Sequence, residues 1–223
     1  MHCHLMVYMR IILTTLVSIT CLLGDNFVEL TQHPMLKALA DNATHAAIGA
    51  LSGIAFAVQF YERTSHFFGW FLIFTCFAGS SLIDVDHFIA ARSWNLEDAT
   101  NLLRRPFLHC STIIFGLLLF YICTACLNYF KWSLFFGVLL CAFITHHTRD
   151  AIRRGYWFYP WGHTDKIPNL AYILITIATP YAIGYIHALC RSAFVQQFLG
   201  QYIKLNESYH HHKDVRGYRY MQV

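Results

Sequence analysis

The chain contains six apolar stretches that are long enough, or nearly long enough, to cross a lipid bilayer as helices. A spanning helix needs about 20 predominantly apolar residues, because its backbone polar groups must all be satisfied within the segment. The stretches cover residues 5–23, 44–60, 67–83, 107–127, 132–147 and 169–190. This pattern predicts an all-α fold, a multi-pass transmembrane helical bundle of about six spans in one membrane domain, followed by a polar tail at 191–223.

The low charge of the chain indicates that lipid is its main solvent. Only 13% of the residues are charged and 57% are hydrophobic, and the mean hydropathy is +0.43. A soluble domain usually carries about 25% charged residues. The net charge of +4 comes from short basic runs between apolar stretches, which is typical of membrane topology and not of nucleic-acid binding. We expect a membrane location, the lipid bilayer as a partner, and no nucleic acid partner.

Two of the stretches need comment. Arg10 and the apolar run 11–23 also resemble the first two regions of a signal peptide. Because no small-x-small cleavage site is obvious, we favour an uncleaved first helix, with a signal peptide as the alternative. The fifth stretch is short, but Lys131 and Arg149 frame it, and both can extend to the membrane interface.

Ionisable residues gather at the ends of four of these stretches. Such groups are costly at membrane depth, so each is a candidate functional residue. In chain order they are His45, Asp84, Asp86, His87, His109, His146, His147 and Asp150. One begins the second stretch, three end the third, one begins the fourth and three end the fifth. Because consecutive spans alternate in direction, we predict that all four ends form one His/Asp cluster on a single membrane face.

The residue types in this cluster suit a metal site. Helical bundles build such sites from carboxylates and imidazoles on several helices, and these donors favour zinc, manganese or ferrous iron. His146 and Asp150 are four residues apart, so they project from the same side of a helix. We predict that a divalent metal ion takes its ligands from His45, Asp84, Asp86, His109, His146 and Asp150. His87 and His147 are the candidate catalytic residues, either supporting a ligand or shuttling protons.

The same strings resemble those of the bacterial YdjM-type membrane-bound metal-dependent hydrolases, over about residues 43–162. The family's early histidine, its D-x-D-H string, its H-x-x-x-D string and the second histidine of its H-R-G-x-T-H-S string each have a counterpart. In that order the counterparts are His45; Asp84, Asp86 and His87; His146 and Asp150; and His109, with Arg105 matching the arginine. The resemblance implies a divalent metal cofactor and hydrolysis as the reaction.

One departure from the family pattern bears on the chemistry. Arg104 stands where the family string has its first histidine. An arginine stays protonated and offers no lone pair, so it cannot be a metal ligand. The site would therefore hold fewer metal ions or have lost catalysis. Over its whole length the sequence also resembles a family of eukaryotic multi-pass membrane proteins.

Two functions of different classes follow. The first is a metal-dependent hydrolase that acts at the membrane interface on a lipid-like or phosphoester substrate. The alternative is a non-catalytic multi-pass membrane protein whose polar cluster joins the helices by buried hydrogen bonds. A third class, a proton or ion carrier, is disfavoured because the cluster is predicted at one face of the membrane and not across its middle.

Overall fold

The computed structural model describes residues 2–192, 195–198 and 200–201, so most of the predicted tail at 191–223 lies outside the described residues. The described part is almost entirely helical, which confirms the predicted all-α bundle. Its elements are α1 (His2–Leu30), α2 (Pro34–Ala57), α3 (His66–Leu82), α4 (Val85–Ala91), α5 (Leu96–Thr100), α6 (Thr112–Cys126), α7 (Phe130–Arg154), α8 (Asn169–Cys190), the 3-10 turns Val58–Arg63 and Phe107–His109, and the strands β1 (Trp157–Phe158) and β2 (Gly162–His163).

Among the described residues, five helical segments are long and apolar enough to cross a membrane. They are His4–Leu30, Pro34–Arg63, His66–Ala91, Phe130–Arg154 and Asn169–Cys190. Helix α6 is also apolar but has 15 residues, which at about 1.5 Å per residue span less than a bilayer core of about 30 Å. The chain is therefore a multi-pass membrane protein, with α6 as a shorter sixth apolar helix.

Helix α6 begins at Thr112, later than the start of its apolar stretch at residue 107. The residues before it form a 3-10 turn after Pro106. There the backbone N–H of Leu108 donates to the carboxylate of Asp86, with a nitrogen–oxygen distance of 2.6 Å. This bond holds the segment 107–111 against the end of the third span. The segment is therefore not part of helix α6.

Helices α2 and α3 approach each other closely through small residues. A Cβ atom added at Gly49 would lie 2.6 Å from the side chain of Ser80 and 2.8 Å from the carbonyl oxygen of Cys76. One added at Gly53 would lie 2.8 Å from the Cβ of Cys76. Small residues four apart allow helices to pack backbone to backbone in a membrane, where packing replaces the hydrophobic effect as the driving force. This contact fixes the end of α3 relative to His45 on α2.

We expect Gly49→Ala to lower the stability of the bundle, because the added methyl group forces α2 away from α3. Overpacking of this kind typically costs about 1–3 kcal/mol. The measurement is the midpoint of thermal unfolding of the detergent-solubilised protein. Gly116→Ala is the matched control, since a Cβ atom there meets nothing within 4 Å. Equal midpoints for the two variants would contradict the close contact.

Helix α7 is the central helix, in contact with α2, α3, α6 and α8. Its first half buries apolar residues, among them Leu134, Val138 and Cys141. Its second half buries the polar run from Thr145 to Arg149. The helix ends at Arg154 and is followed by Gly155, whose φ of 68° is accessible mainly to glycine. The chain turns there into the hairpin of β1 and β2. The polar half of α7 therefore faces the ends of its neighbours.

Candidate metal centre

The four predicted polar strings meet in one His/Asp cluster. His45 Nε2 lies 3.5 Å from Asp150 Oδ1, and His109 Nε2 lies 3.3 Å from Asp84 Oδ1. His109 Nε2 also lies 3.4 Å from Asp150 Oδ2 and 3.4 Å from His146 Nε2. Side chains from α2, from the end of α3, from the segment before α6 and from α7 are thus brought together, as the alternation of the spans predicts.

His146 is the central histidine of the cluster and is 1% exposed. Its Nδ1 lies 2.8 Å from the carbonyl oxygen of Ser80. Because a carbonyl only accepts hydrogen bonds, Nδ1 carries the proton and Nε2 keeps its lone pair. That Nε2 lies 3.6 Å from an oxygen of Asp84 and 3.6 Å from an oxygen of Asp150. The His146 ring also stacks on His45, with centroids 3.8 Å apart.

His109 is held from behind by a carboxylate. Its Nδ1 lies 3.1 Å from Asp86 Oδ1, while Asp86 Oδ2 accepts the N–H of Leu108. Burial disfavours the charged imidazole, but contacts with Asp84 and Asp86 and the negative charge of Asp150 raise the pKa of His109 to about 9. The carboxylates therefore create a field that favours a positive charge at this point.

His87 and His109 extend the cluster towards α4. His87 Nδ1 lies 3.0 Å from the carbonyl oxygen of Ala99, which leaves Nε2 with a lone pair, and the two rings meet edge to face with centroids 4.7 Å apart. Two groups of ligand atoms each lie within 4.8 Å of one another and could hold a metal ion: His45, His146 and Asp150, and Asp84, His87 and His109. We call these the first and the second triad.

Two of the predicted site residues stand beside the triads. His147 Nε2 donates to the carbonyl oxygen of Leu108 at 2.9 Å, and its Nδ1 accepts from the hydroxyl of Ser111 at 3.0 Å. Both contacts hold the segment that carries His109, so this geometry gives His147 a positioning role, and proton transfer by it stays a prediction. Asp86 contacts His109 at Nδ1. The role of Asp86 as a metal ligand also stays a prediction.

The residues fit a bound cation on two grounds. The lone pair of His146 Nε2 and the oxygens of Asp84 and Asp150 are all hydrogen-bond acceptors, and they converge within 3.6 Å. Acceptors repel one another at this range unless a cation lies between them or a proton does, such as the one on Nε2 of a charged His109 3.4 Å away. Among the described residues, Nδ1 of the buried His45 has no hydrogen-bond partner, and its Nε2 meets only Asp150 Oδ1, at 3.5 Å. The donor set of neutral imidazoles and carboxylates suits zinc, manganese or ferrous iron.

An ion network that the sequence did not reveal borders the cluster. The position of Arg149 near the end of its apolar stretch suggested that it extends to the membrane interface. In the structure it does not, and it is only 1% exposed. Its guanidinium lies 2.8 Å from Asp25 on α1 and 2.8 Å from Asp41 on α2. Because these two carboxylates compensate the charge of Arg149 inside the bundle, the guanidinium does not need contact with water.

Arg153 connects this network to the cluster. It contacts Asp41 at 3.2 Å and Asp150 Oδ1 at 2.7 Å. Arg149 lies within the H-x-x-x-D string and Asp41 four residues before His45, so both were visible signals, whereas Asp25 lies apart from the four strings and gave none.

Comparisons with known proteins agree with the architecture. Residues 41–207 match the family described as YdjM inner membrane protein. The transmembrane protein 267 of Mus musculus is 36% identical over 176 residues, which cover 76% of this chain and 79% of the relative. That of Bos taurus is 34% identical over 173 residues, covering 74% of this chain and 77% of the relative. No solved structure matches the chain. The chain therefore belongs to the transmembrane protein 267 family and carries the YdjM inner membrane protein domain.

Proposed function

We propose that the protein is a metal-dependent hydrolase that acts at the membrane interface. The observation that carries the proposal is the lone pair of the buried His146, which faces two carboxylate oxygens at 3.6 Å. A divalent cation would bind all three donors and remove their mutual repulsion. The match to the YdjM family supports the proposal, because the polar strings lie within the matched residues 41–207.

Each triad supplies two imidazoles and one carboxylate. Three protein ligands with a position left open are typical of catalytic zinc sites, whereas structural sites are closed by four. Asp84 Oδ1 and Asp150 Oδ2 each lie within 3.6 Å of both His109 and His146. These oxygens are therefore suited to serve both triads. When bound, the metal supplies Lewis-acid activation of a water molecule and of the ester under attack.

The chain's own residues prepare the histidines for this role. The carbonyl oxygens of Ser80 and Ala99 accept the Nδ1–H of His146 and of His87, so the Nε2 atoms are left free. Asp86 Oδ1 lies 3.1 Å from His109 Nδ1 as an ion-pair contact on the side of the ring away from Nε2. A partner of this kind fixes the tautomer and ring direction of a metal-binding histidine and makes it a stronger ligand.

A second candidate function, a non-catalytic membrane protein in which the cluster joins the helices, is favoured by one observation. Asp150 Oδ1 is bonded by Arg153 at 2.7 Å, and Arg153 continues through Asp41 to Arg149. Asp150 thus has a structural partner in addition to the histidines. On this proposal the cluster stabilises the fold and binds no metal tightly.

The test is metal binding by the purified, detergent-solubilised protein. We expect elemental analysis to find bound zinc, manganese or iron, a chelator to remove it, and titration to restore it. Hydrolysis of chromogenic phosphoesters and carboxyl esters should disappear with the metal and return with it. A chain that is folded, contains no transition metal and regains none on titration would overturn the metal-dependent hydrolase and leave the structural function.

A further inference from the structure

A cavity of about 770 Å³ lies directly beside the second triad, and His87 is one of its lining residues. Its walls come from the segment before α6, from the end of α7 and from the β1–β2 hairpin. The backbone N–H of Ser111 donates to the carbonyl oxygen of Trp157 at 2.7 Å, which attaches the hairpin to that segment. The cavity is thus part of this end of the bundle, and it reaches the second triad at His87.

The lining of this cavity is strongly basic. It contains Arg104, Arg105 and Arg154, and no carboxylate is among its lining residues. Within the described ranges, neither Arg104 nor Arg154 forms an ion pair with a carboxylate. Arg105 is anchored differently, since it donates to the carbonyl oxygen of Gly155 at 2.9 Å. Three guanidinium groups around one cavity repel one another, so the cavity favours an anion.

The acids of the α5 region lie near this cavity but do not line it. Glu97 and Asp98 line a neighbouring depression of about 970 Å³, which Arg104 and Arg105 line as well, but neither acid forms an ion pair with these arginines within the described ranges. Asp98 accepts a hydrogen bond from Ser93 at 2.6 Å.

The rim of the cavity is apolar and aromatic. Phe107 and Tyr159 line it and are 74% and 66% exposed, and Leu103 is fully exposed. Trp157 lines it as well. Aromatic side chains that expose an apolar face favour the interface between headgroups and acyl chains. An anion that reaches the arginines from this side therefore passes residues suited to contact lipid.

We propose that Arg104, Arg105 and Arg154 bind the phosphate group of an anionic phosphoester and hold it beside the second triad. Guanidinium groups recognise phosphate with two parallel hydrogen bonds, which gives direction as well as charge. The proposal rests on the proposed hydrolase and names its substrate class. The phosphate belongs either to a lipid headgroup or to a soluble phosphoester, and the chemistry at the arginines is the same for both.

The test measures binding to the full chain in neutral detergent, with metal removed by a chelator, so that it does not depend on activity. The probes are dioctanoyl phosphatidic acid, dioctanoyl phosphatidylcholine and inorganic phosphate. The binding of each probe is measured by titration calorimetry. We expect phosphatidic acid to bind and phosphatidylcholine to bind far more weakly. Inorganic phosphate that binds as tightly as phosphatidic acid would assign the site to soluble phosphoesters, and weaker binding would assign it to lipid.

Variants separate a specific site from general attraction. Arg104→Gln should weaken phosphatidic acid binding by about tenfold or more, because a hydrogen bond to a charged group is lost, and Arg104→Lys should retain part of the affinity. Lys131→Gln removes one exposed positive charge from the start of α7 and should leave binding unchanged. The proposal is overturned if neither anion binds, or if Arg104→Gln and Lys131→Gln behave alike. Metal binding by the same preparation tests the hydrolase separately.

Discussion

Replacing His146 with asparagine is expected to abolish tight metal binding while the bundle stays folded. Asparagine keeps a donor for the carbonyl oxygen of Ser80, which His146 bonds at 2.8 Å, but it lacks the Nε2 lone pair that faces the acids. Removing a group that only orients a ligand usually costs about 10–100-fold in metal affinity. Loss of the ligand itself should cost more. The measurement is metal titration together with the midpoint of thermal unfolding.

His187→Asn is the matched control for this change. His187 is also a buried histidine, 2% exposed, but it lies on α8 among Phe60 and Phe130 and belongs to neither triad. We expect this variant to lose stability without losing metal. If His146→Asn unfolds the chain, or lowers its stability with no change in metal affinity, the cluster is structural and the catalytic proposal fails.

The level of the cluster could be predicted from sequence because it depends only on topology. Once the apolar stretches are taken as spans, the ends that carry His45, Asp84, His109 and Asp150 must lie on the same side of the membrane. No knowledge of helix rotation is needed for that step. The fold class follows equally directly, because a chain this apolar has to satisfy its backbone polar groups within helices.

The role of Asp86 within the cluster could not be predicted, because it depends on the path of the segment before α6, where His109 lies in a 3-10 turn. Helix α3 ends at Leu82 and α4 starts at Val85. Ile83 and Asp84 between them keep right-handed helical dihedrals, so Asp84 and His87, three residues apart, stay on one side as helical spacing predicts. The contact of Asp86 with His109 was the part that the spacing within this helix did not give. The cavity beside the triad was equally hidden, since its arginines come from loops whose paths the apolar pattern does not describe.

Arg149→Met should cause the largest loss of stability among single substitutions at this end of the bundle. The change leaves Asp25 and Asp41 without the guanidinium that each contacts at 2.8 Å. Removing one partner of a fully buried ion pair typically costs about 3–5 kcal/mol, and the cost here should be at or below the lower end of that range, because Asp25 and Asp41 are 28% and 23% exposed. The network joins α1, α2 and α7, so we expect α1 to separate from α2 and α7 first. Thermal unfolding in detergent and protease cleavage near residue 31 report on this.

Arg153→Met tests whether burial is the cause. The same substitution is made one helical turn along α7, and Arg153 also contacts Asp41, but its side chain is 44% exposed. Exposed ion pairs contribute about 0–1 kcal/mol, because water replaces the lost partner. We expect a large drop in the unfolding midpoint for Arg149→Met and a small one for Arg153→Met. Partial recovery when Arg149→Met is combined with Asp25→Asn would show that the loss comes from a buried charge left without its partner. Equal drops for the two single variants would mean that the network does not hold α1 in place.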